Sequence, residues 1–493
     1  MNKDALINSL NQTIEIQSEQ LKQQSLLLEK LQLQLDQLLR TLYGKKSEKQ
    51  TKPKKESGND SPPGTGQRSR KKSSNRAKSP RIPESLPKQE RHYELPEKEQ
   101  VCNACNSQLS PMGKKVTEQI EYIPGHLINL RHIRHQYVCR TPGCNCIKIA
   151  TMPNQPIEKG LPGPGLLAEV LTSKYQDSLP LYRQMLRFKR LGYSCSDNTL
   201  GDWVKECAFL LQPVVELMQT TLFAAKKIHT DDTVVPVLQK GKNTTRNGRL
   251  WVYLTEKAGT NPICIYQYSP TRSGKIPLRF LKEYQGYIQA DAYPGYDKVY
   301  ASGDKVEVAC MAHARRKFND IAKLAKGPSH AQDIVDLMKQ LYRVEKNCSQ
   351  MTDIERYHYR RRFAKPWLWQ LKRKAKKLLK QVVPKTPFCE ALNYLMNHWF
   401  ALTRYLAAGY LSIDNNAAER AMRPIAIGRK NWIFAGSDAG AQRAAVIYSI
   451  IETCKMNHIN TAEYLADVLM RIPNTLNKDL FKLLPFNWQP SRH

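Results

Sequence analysis

From residue 226 the hydrophobic period of the chain switches from helical to strand-like, and this switch limits the possible folds most. The runs KKIHT, RLWVYL, ICIYQY, GYIQA and VEVAC are short and rich in β-branched and aromatic residues, as strands are. A polar stretch containing Asn247-Gly248, a turn signal, separates the first two. Three early strands therefore predict an antiparallel meander. A fourth, reached through an intervening helix, is expected to return parallel beside the first.

Acids close two of these stretches. Asp231 ends KKIHTD and Asp291 ends GYIQAD, while Glu419 lies in the helix-like DNNAAERAMRP. The predicted sheet puts Asp231 and Asp291 at adjacent strand ends. Glu419 then arrives from a helix beyond a basic helical insertion at about 314–405. This is a ribonuclease H-like layout. Carboxylate oxygens suit hard Mg²⁺ (or Mn²⁺). Two such ions can stabilise the attacking and leaving oxygens of a phosphodiester exchange without a covalent protein intermediate. Two local alternatives stay open. Asp232 competes with Asp231, although strand alternation lets only one face the site. Asn416-x-x-Glu419 also fits a helix capping box.

Net charge points to the partner. The chain carries 77 Lys+Arg against 44 Asp+Glu, a balance of +33, which suits double-stranded DNA because phosphate neutralisation dominates such binding. No apolar run approaches the roughly 20 residues of a membrane span, and MNKDALINSLNQ lacks a signal peptide's apolar core. A cytoplasmic, nucleoid-associated protein is expected, with its twelve Cys as thiols or metal ligands.

The preceding chain divides by composition. In residues 1–43, Ile7, Ile14, Leu21, Leu28, Leu35 and Leu42 repeat every seven positions, and Leu10, Gln17, Gln24, Leu31 and Leu38 form the second seam. A leucine-zipper-like coiled coil, making a homodimer or higher oligomer, is expected; a helix packed on its own core is the alternative. Residues 44–92 hold fifteen Lys/Arg against five Asp/Glu and almost no large apolar side chains, as a disordered basic linker does. Residues 93–155 contain Cys102-x-x-Cys105, then Cys139, Cys144 and Cys146. Cys102, Cys105, Cys139 and Cys144 are the expected ligands of one structural zinc ion, with Cys146 competing for the fourth place. Residues 161–222 read as two helices broken at Leu191-Gly192-Tyr193, the second capped by Ser196 or Asp197. That is the outline of a helix-turn-helix-like DNA-binding region, or of a plain helical hairpin.

The remaining candidates lie near the predicted sheet edge. Cys310-x-x-His313 follows the last strand and is either accessory to the chemistry or structural. Arg315, Arg316 and Lys317 come next, and Arg423, Arg429 and Lys430 follow Glu419; all six are candidate phosphate contacts. The expected chain is thus a multidomain α+β protein with a catalytic core over 223–452 and a C-terminal helical tail over 453–493.

Several segments carry a family resemblance. LRTLYGKKSEK, SKYQDSLPLYRQ, HTDDTVVPVL, GRLWVYL, IQADAYPGY, MAHARRKF, the run from IDNNAAERAMRP to ETCK, and LLPFNW resemble the transposases of insertion-sequence family 66 nearly end to end. The resemblance implies a DDE polynucleotidyl transferase whose acids fall on Asp231, Asp291 and Glu419. It also implies accessory proteins from the same element. This chain has Asp231-Asp232-Thr233 where the family usually has Asp-Glu-Thr. Its second cysteine pair departs from the family's commoner Cys-x-x-Cys. A DNA-binding regulator without catalysis and a nuclease without strand transfer are the rival readings.

Overall fold

The computed structural model describes residues 125–138, 147–150, 155–242, 244–256, 261–325 and 327–491. The expected coiled coil, the basic linker and the candidate zinc ligands Cys102, Cys105, Cys139 and Cys144 lie outside the described residues. Contacts divide the chain into two units, 1–122 and 123–493, and the described residues all belong to the second.

That unit begins with β1 (Gln136–Val138) and β2 (Ile147–Ile149), an antiparallel pair. Three helices come next: α1 (Pro164–Tyr175), α2 (Leu181–Arg190) and α3 (Asp197–Phe223). Gly192 sits in the turn between α2 and α3 at φ +88°, a conformation that costs glycine least. Ser196 caps α3 by accepting the Thr199 N–H at 3.0 Å. Ser196→Ala is expected to cost about 1 kcal/mol, read from urea unfolding with no change in the slope. The short glycine turn and capped second helix follow the sequence reading, but α3 runs on for 27 residues. Its buried stripe, from Leu200 to Leu222, joins the core of the sheet rather than a separate module.

The sheet is mixed and five-stranded, in the order β5-β4-β3-β6-β7. β3 (Lys227–Leu238), β4 (Thr245–Leu254) and β5 (Cys264–Ser269) form the antiparallel meander. After helix α4 (Lys275–Phe280), β6 (Gly286–Ala290) returns parallel beside β3. The short helix α5 (Asp297–Tyr300) leads to β7 (Lys305–Ala309), parallel to β6. The expected order is therefore found, with one correction. Asn247 and Gly248 are not the hairpin turn; they lie inside β4, opposite Pro236 and Val235. Gly248 is needed there for space, because a Cβ would meet the Tyr268 ring at 2.7 Å.

Beyond β7 comes the helical insertion, with its own core. It comprises α6 (Met311–Leu324), α7 (His330–Asn347), α8 (Asp353–Phe363), α9 (Lys365–Leu379), α10 (Pro387–Asn397) and α11 (Trp399–Thr403). Phe318, Met338, Leu371, Leu392 and Leu402 are among its fully buried side chains, and Val308 and Ala309 of β7 join them. The chain then returns to the sheet as α12 (Asn416–Trp432), α13 (Asp438–Met456) and α14 (Thr461–Arg471). α13 lies on β5 and α3, where Tyr266 N–H donates to Ser449 Oγ at 2.8 Å and Cys264 N–H to Thr453 Oγ1 at 3.0 Å. No helix among the described residues is long and apolar enough to cross a membrane.

Candidate active site

Register brings the first two acids together. The parallel ladder between β3 and β6 ends at the pair His229 and Gln289. Asp231 and Asp291 each stand two residues further on, so alternation points both to one face. This lies outside the carboxyl ends of parallel strands, where open sheets place ligands. Asp291 does follow the end of its strand. Asp231 is mid-strand, a correction to the expected pair of strand ends, because β3 continues against β4 as far as Leu238 and Thr245.

Asp232 faces the other way and is occupied. Its side chain is 3% exposed. Arg249 Nη1 donates to Oδ2 at 2.9 Å and Arg272 Nε to Oδ1 at 3.0 Å. The Arg272 guanidinium also stacks 4.0 Å from the Tyr293 ring centroid. Asp231 has no such cation among the described residues; its carboxylate accepts the Asp232 N–H at 2.8 Å. Desolvation pushes the Asp231 carboxyl up to about 7 against that hydrogen bond, and the negative fields of Asp291, Asp232 and Glu419 add to the rise. Burial also raises Asp291, opposed by His313 and Arg272.

Glu419 stands in the first turn of α12, but no capping box forms. The N-cap is Asn415, which makes no side-chain cap bond, and the Asn416 amide donates to Asp414 at 2.9 Å. Glu419 Oε1 instead lies 3.4 Å from Arg316 Nη2 and 3.7 Å from His313 Nε2, both on α6. His313 Nδ1 is buried without a hydrogen-bond partner among the described residues. Cys310 is fully buried, and its sulfur accepts the Asn415 N–H at 3.1 Å. Burial pushes the thiol up to about 12, which suits a structural anchor better than a nucleophile.

A buried polar network fixes this approach of α12 to β3, and no motif spacing announced it. His229 Nδ1 lies 2.9 Å from Asn415 Oδ1 and its Nε2 3.0 Å from Glu256 Oε2. Asn415 Nδ2 donates to the Thr230 carbonyl at 2.9 Å. Lys227 Nζ donates to Glu256 at 3.0 Å and to Ser412 Oγ at 2.8 Å. Against the upward push of burial, the hydrogen bonds and charges of His229 and Lys227 hold Glu256 far below the ordinary carboxylate range. The one available clue was that His229 and Asp231, two apart on a strand, share a face.

The candidate phosphate contacts divide. Arg423 and Lys430 are exposed on α12. Arg429 donates to the Val234 carbonyl of β3, so its position is that of a strut between helix and strand. Arg315 lies over Tyr342 at 5.4 Å and Lys317 over Tyr394 at 4.7 Å. Arg316 faces Glu419.

Oxygen donors and a buried carboxyl, that of Asp231, raised chiefly by desolvation and further by the fields of neighbouring acids, fit a hard divalent cation. Among the described residues, however, no three His, Cys, Asp or Glu side chains converge tightly enough to hold a metal. The three acids are neighbours rather than an assembled coordination shell.

Known proteins extend the likeness along the chain. The family model described as "Transposase IS66 family" matches residues 159–443. The "zinc-finger binding domain of transposase IS66" matches 99–141, and the "IS66 C-terminal element" matches 449–486. The first zinc-finger cysteines and Cys139 fall inside the second match; Cys144 falls beyond its end. Uncharacterized protein y4hP of Sinorhizobium fredii is 34% identical over 409 residues, covering 79% of this chain and 73% of its own length. Uncharacterized protein y4jD of the same organism is 30% identical over 422 residues, covering 83% and 81%. With the first model alone spanning more than half of its 493 residues, the chain belongs to the IS66 family of transposases.

Proposed function

We propose that this transposase binds the terminal inverted repeats of its own element, nicks the ends to free 3′-hydroxyls and joins them to target DNA. The observation that carries the reading is the shared face of Asp231 and Asp291 with Glu419 held nearby, where Asp231 lies in the negative field of the other two with no cation paired to it among the described residues. The strand order, a three-stranded meander followed by two parallel strands, supports a ribonuclease H-like core.

Asp231, Asp291 and Glu419 would hold Mg²⁺ or Mn²⁺, which when bound supplies an activated attacking oxygen and a neutralised leaving oxygen. The chain's own groups prepare the site. Asn415 and His229 hold the start of α12 against β3, and His313 with Arg316 orients Glu419. Arg272, anchored by Asp232 and stacked on Tyr293, presents a cation beside Asp291. Arg315, Arg316, Lys317, Arg423 and Lys430 supply positive charge for the DNA backbone.

Elsewhere, Cys102, Cys105, Cys139 and Cys144 would close a structural zinc site in the zinc-finger region. The N-terminal heptads would pair protomers so that two element ends are handled together at the bacterial nucleoid, with accessory proteins of the same element.

The test is incubation of the full chain with a labelled duplex carrying the element's terminal repeat, with Mg²⁺ and a target plasmid. Nicked 3′-hydroxyl ends and joined products are expected, and EDTA should stop both. A trapped covalent protein–DNA adduct would overturn the reading. End binding that ignores the metal and cuts nothing, even with the accessory proteins added, would favour a regulator. Nicking without joining would leave a nuclease.

A further inference from the structure

The helical insertion carries a face that its own folding does not explain. Residues 356–389 contain twelve Lys/Arg and no Asp/Glu. Folding accounts for some of the twelve: Arg360 pairs with Glu345 at 2.6 Å and Lys374 with Asp333 at 2.7 Å. Lys365, Lys376, Lys377 and Lys380 are exposed and have no acidic partner among the described residues. α9 buries Leu368, Leu371, Ala375 and Leu378 and turns its basic side outward.

Large aromatic rings stand open among these cations. Trp369 is 60% exposed and Phe400 is 77% exposed. The Arg373 guanidinium lies 4.5 Å from the Trp369 ring centroid, and Lys372 Nζ lies 5.7 Å from that of Phe400. Arg362 sits beside the partly exposed Phe363 in the same way, at 5.4 Å. A face that met only duplex phosphate would need the cations and gain nothing from bare rings. Unpaired bases use both, since they stack on aromatic side chains while the backbone follows the positive charge.

Resting on the transposase reading, we infer that the outer face of α9 with Phe400 binds single-stranded DNA, stacking unpaired bases on Trp369 and Phe400. A nick frees a strand end beside the cut, whose bases can then unpair. The excess positive charge disfavours a second copy of the same face and favours a polyanion.

The test uses the full chain, a fluorescein-labelled dT 20-mer and a labelled duplex of equal length, with binding read by anisotropy at fixed salt. Both rings are exposed, so Trp369→Ala and Phe400→Ala should fold as the parent, checked by circular dichroism. Each is expected to weaken single-strand binding roughly tenfold and to leave duplex binding within about twofold. Arg373→Ala should weaken both and lower the salt dependence by about one phosphate contact. Unchanged single-strand affinity, or an equal loss on the duplex, would overturn the inference. So would capture by phosphatidylserine vesicles that the two aromatic variants abolish while oligonucleotide binding persists. The same preparations are scored for nicking of element ends. Ends nicked normally with single-strand binding untouched would sink this face and leave the transposase chemistry standing. Ring-dependent single-strand binding without any nicking would do the reverse.

Discussion

Asp231→Asn should abolish nicking and joining while making the protein harder to unfold. The activity loss is expected to be on the order of 10³-fold or more, because a lost metal contact forgoes several kcal/mol of transition-state stabilisation. The stability gain follows from the same carboxylate. Desolvation and the neighbouring acids raise it from the ordinary value of about 4 to about 7. A carboxyl with a raised native pKa binds more protons folded than unfolded, so stability falls as pH rises between those two values. Above pH 7 the ionised group opposes folding, and a neutral amide of the same shape removes that opposition. The thermal midpoint in EDTA at pH 8 should therefore rise in the variant. Adding Mg²⁺ should raise the midpoint of the parent and leave the variant unmoved, since a cation stabilises only the form that binds it. Asp232→Asn provides the contrast. It removes the charge of the buried Asp232 carboxylate from its pairs with the more exposed Arg249 and Arg272, so its midpoint should fall. A midpoint that falls in Asp231→Asn would mean that this acid is structural, and the metal reading would lose its main support.

That contrast between neighbouring aspartates marks how far the sequence could be read. The alternating runs and two acid-terminated stretches were enough to order four of the five strands, because β-branched and aromatic residues bury regularly on a pleated surface; VEVAC was legible as a strand, but not its place beside β6. Strand alternation further required Asp231 and Asp232 to face opposite ways. Which of them was tied up could not be read, because Arg249 and Arg272 come from 17 and 40 residues away. The hairpin turn was misplaced for a related reason. Gly248 reads locally as a turn residue, whereas its smallness makes room for Tyr268 on the next strand. Asn415 is the clearest case. Its partners His229 and Thr230 lie 186 and 185 residues earlier, so no periodicity or spacing could announce that it ties α12 to β3. The helices before the sheet show the limit for domain boundaries. A change of hydrophobic period at residue 226 separates local structures, yet Leu211, Met218 and Leu222 of α3 lie in one core with Leu250, Val252 and Leu254 of β4.

Arg360→Ala should destabilise the insertion by about 3–5 kcal/mol, the range for breaking a buried charge pair from one side. Arg360 is 2% exposed. Its Nε and Nη2 grip Glu345 at 2.8 and 2.6 Å. Its Nη1 lies within 3.3 Å of the carbonyls of Tyr405, Ala408, Gly409 and Leu411. Those four belong to the segment that leaves the insertion for the network around Asn415. The segment is tightly confined, since a Cβ on Gly409 would stand 1.7 Å from the Asp353 carbonyl oxygen. Two contributions can therefore be separated. Were the ion pair the main one, Arg360→Met with Glu345→Leu would recover stability, because a well-packed apolar pair commonly matches a buried ionic one. Were the carbonyls the main one, the double variant would stay unstable, since each buried acceptor left without a donor costs about 1–3 kcal/mol. Gly409 keeps Arg356 Nη1 and Ala408 keeps the Leu411 N–H as donors, but the Tyr405 and Leu411 carbonyls favour the second outcome. Urea unfolding of the full chain should show both variants well below the parent, with the double variant recovering less than half of the loss. End nicking should fall along with stability, because the same strand of chain carries Asn415 and Glu419 back to Asp231. Full recovery in the double variant would show that Arg360 holds the insertion through Glu345 alone.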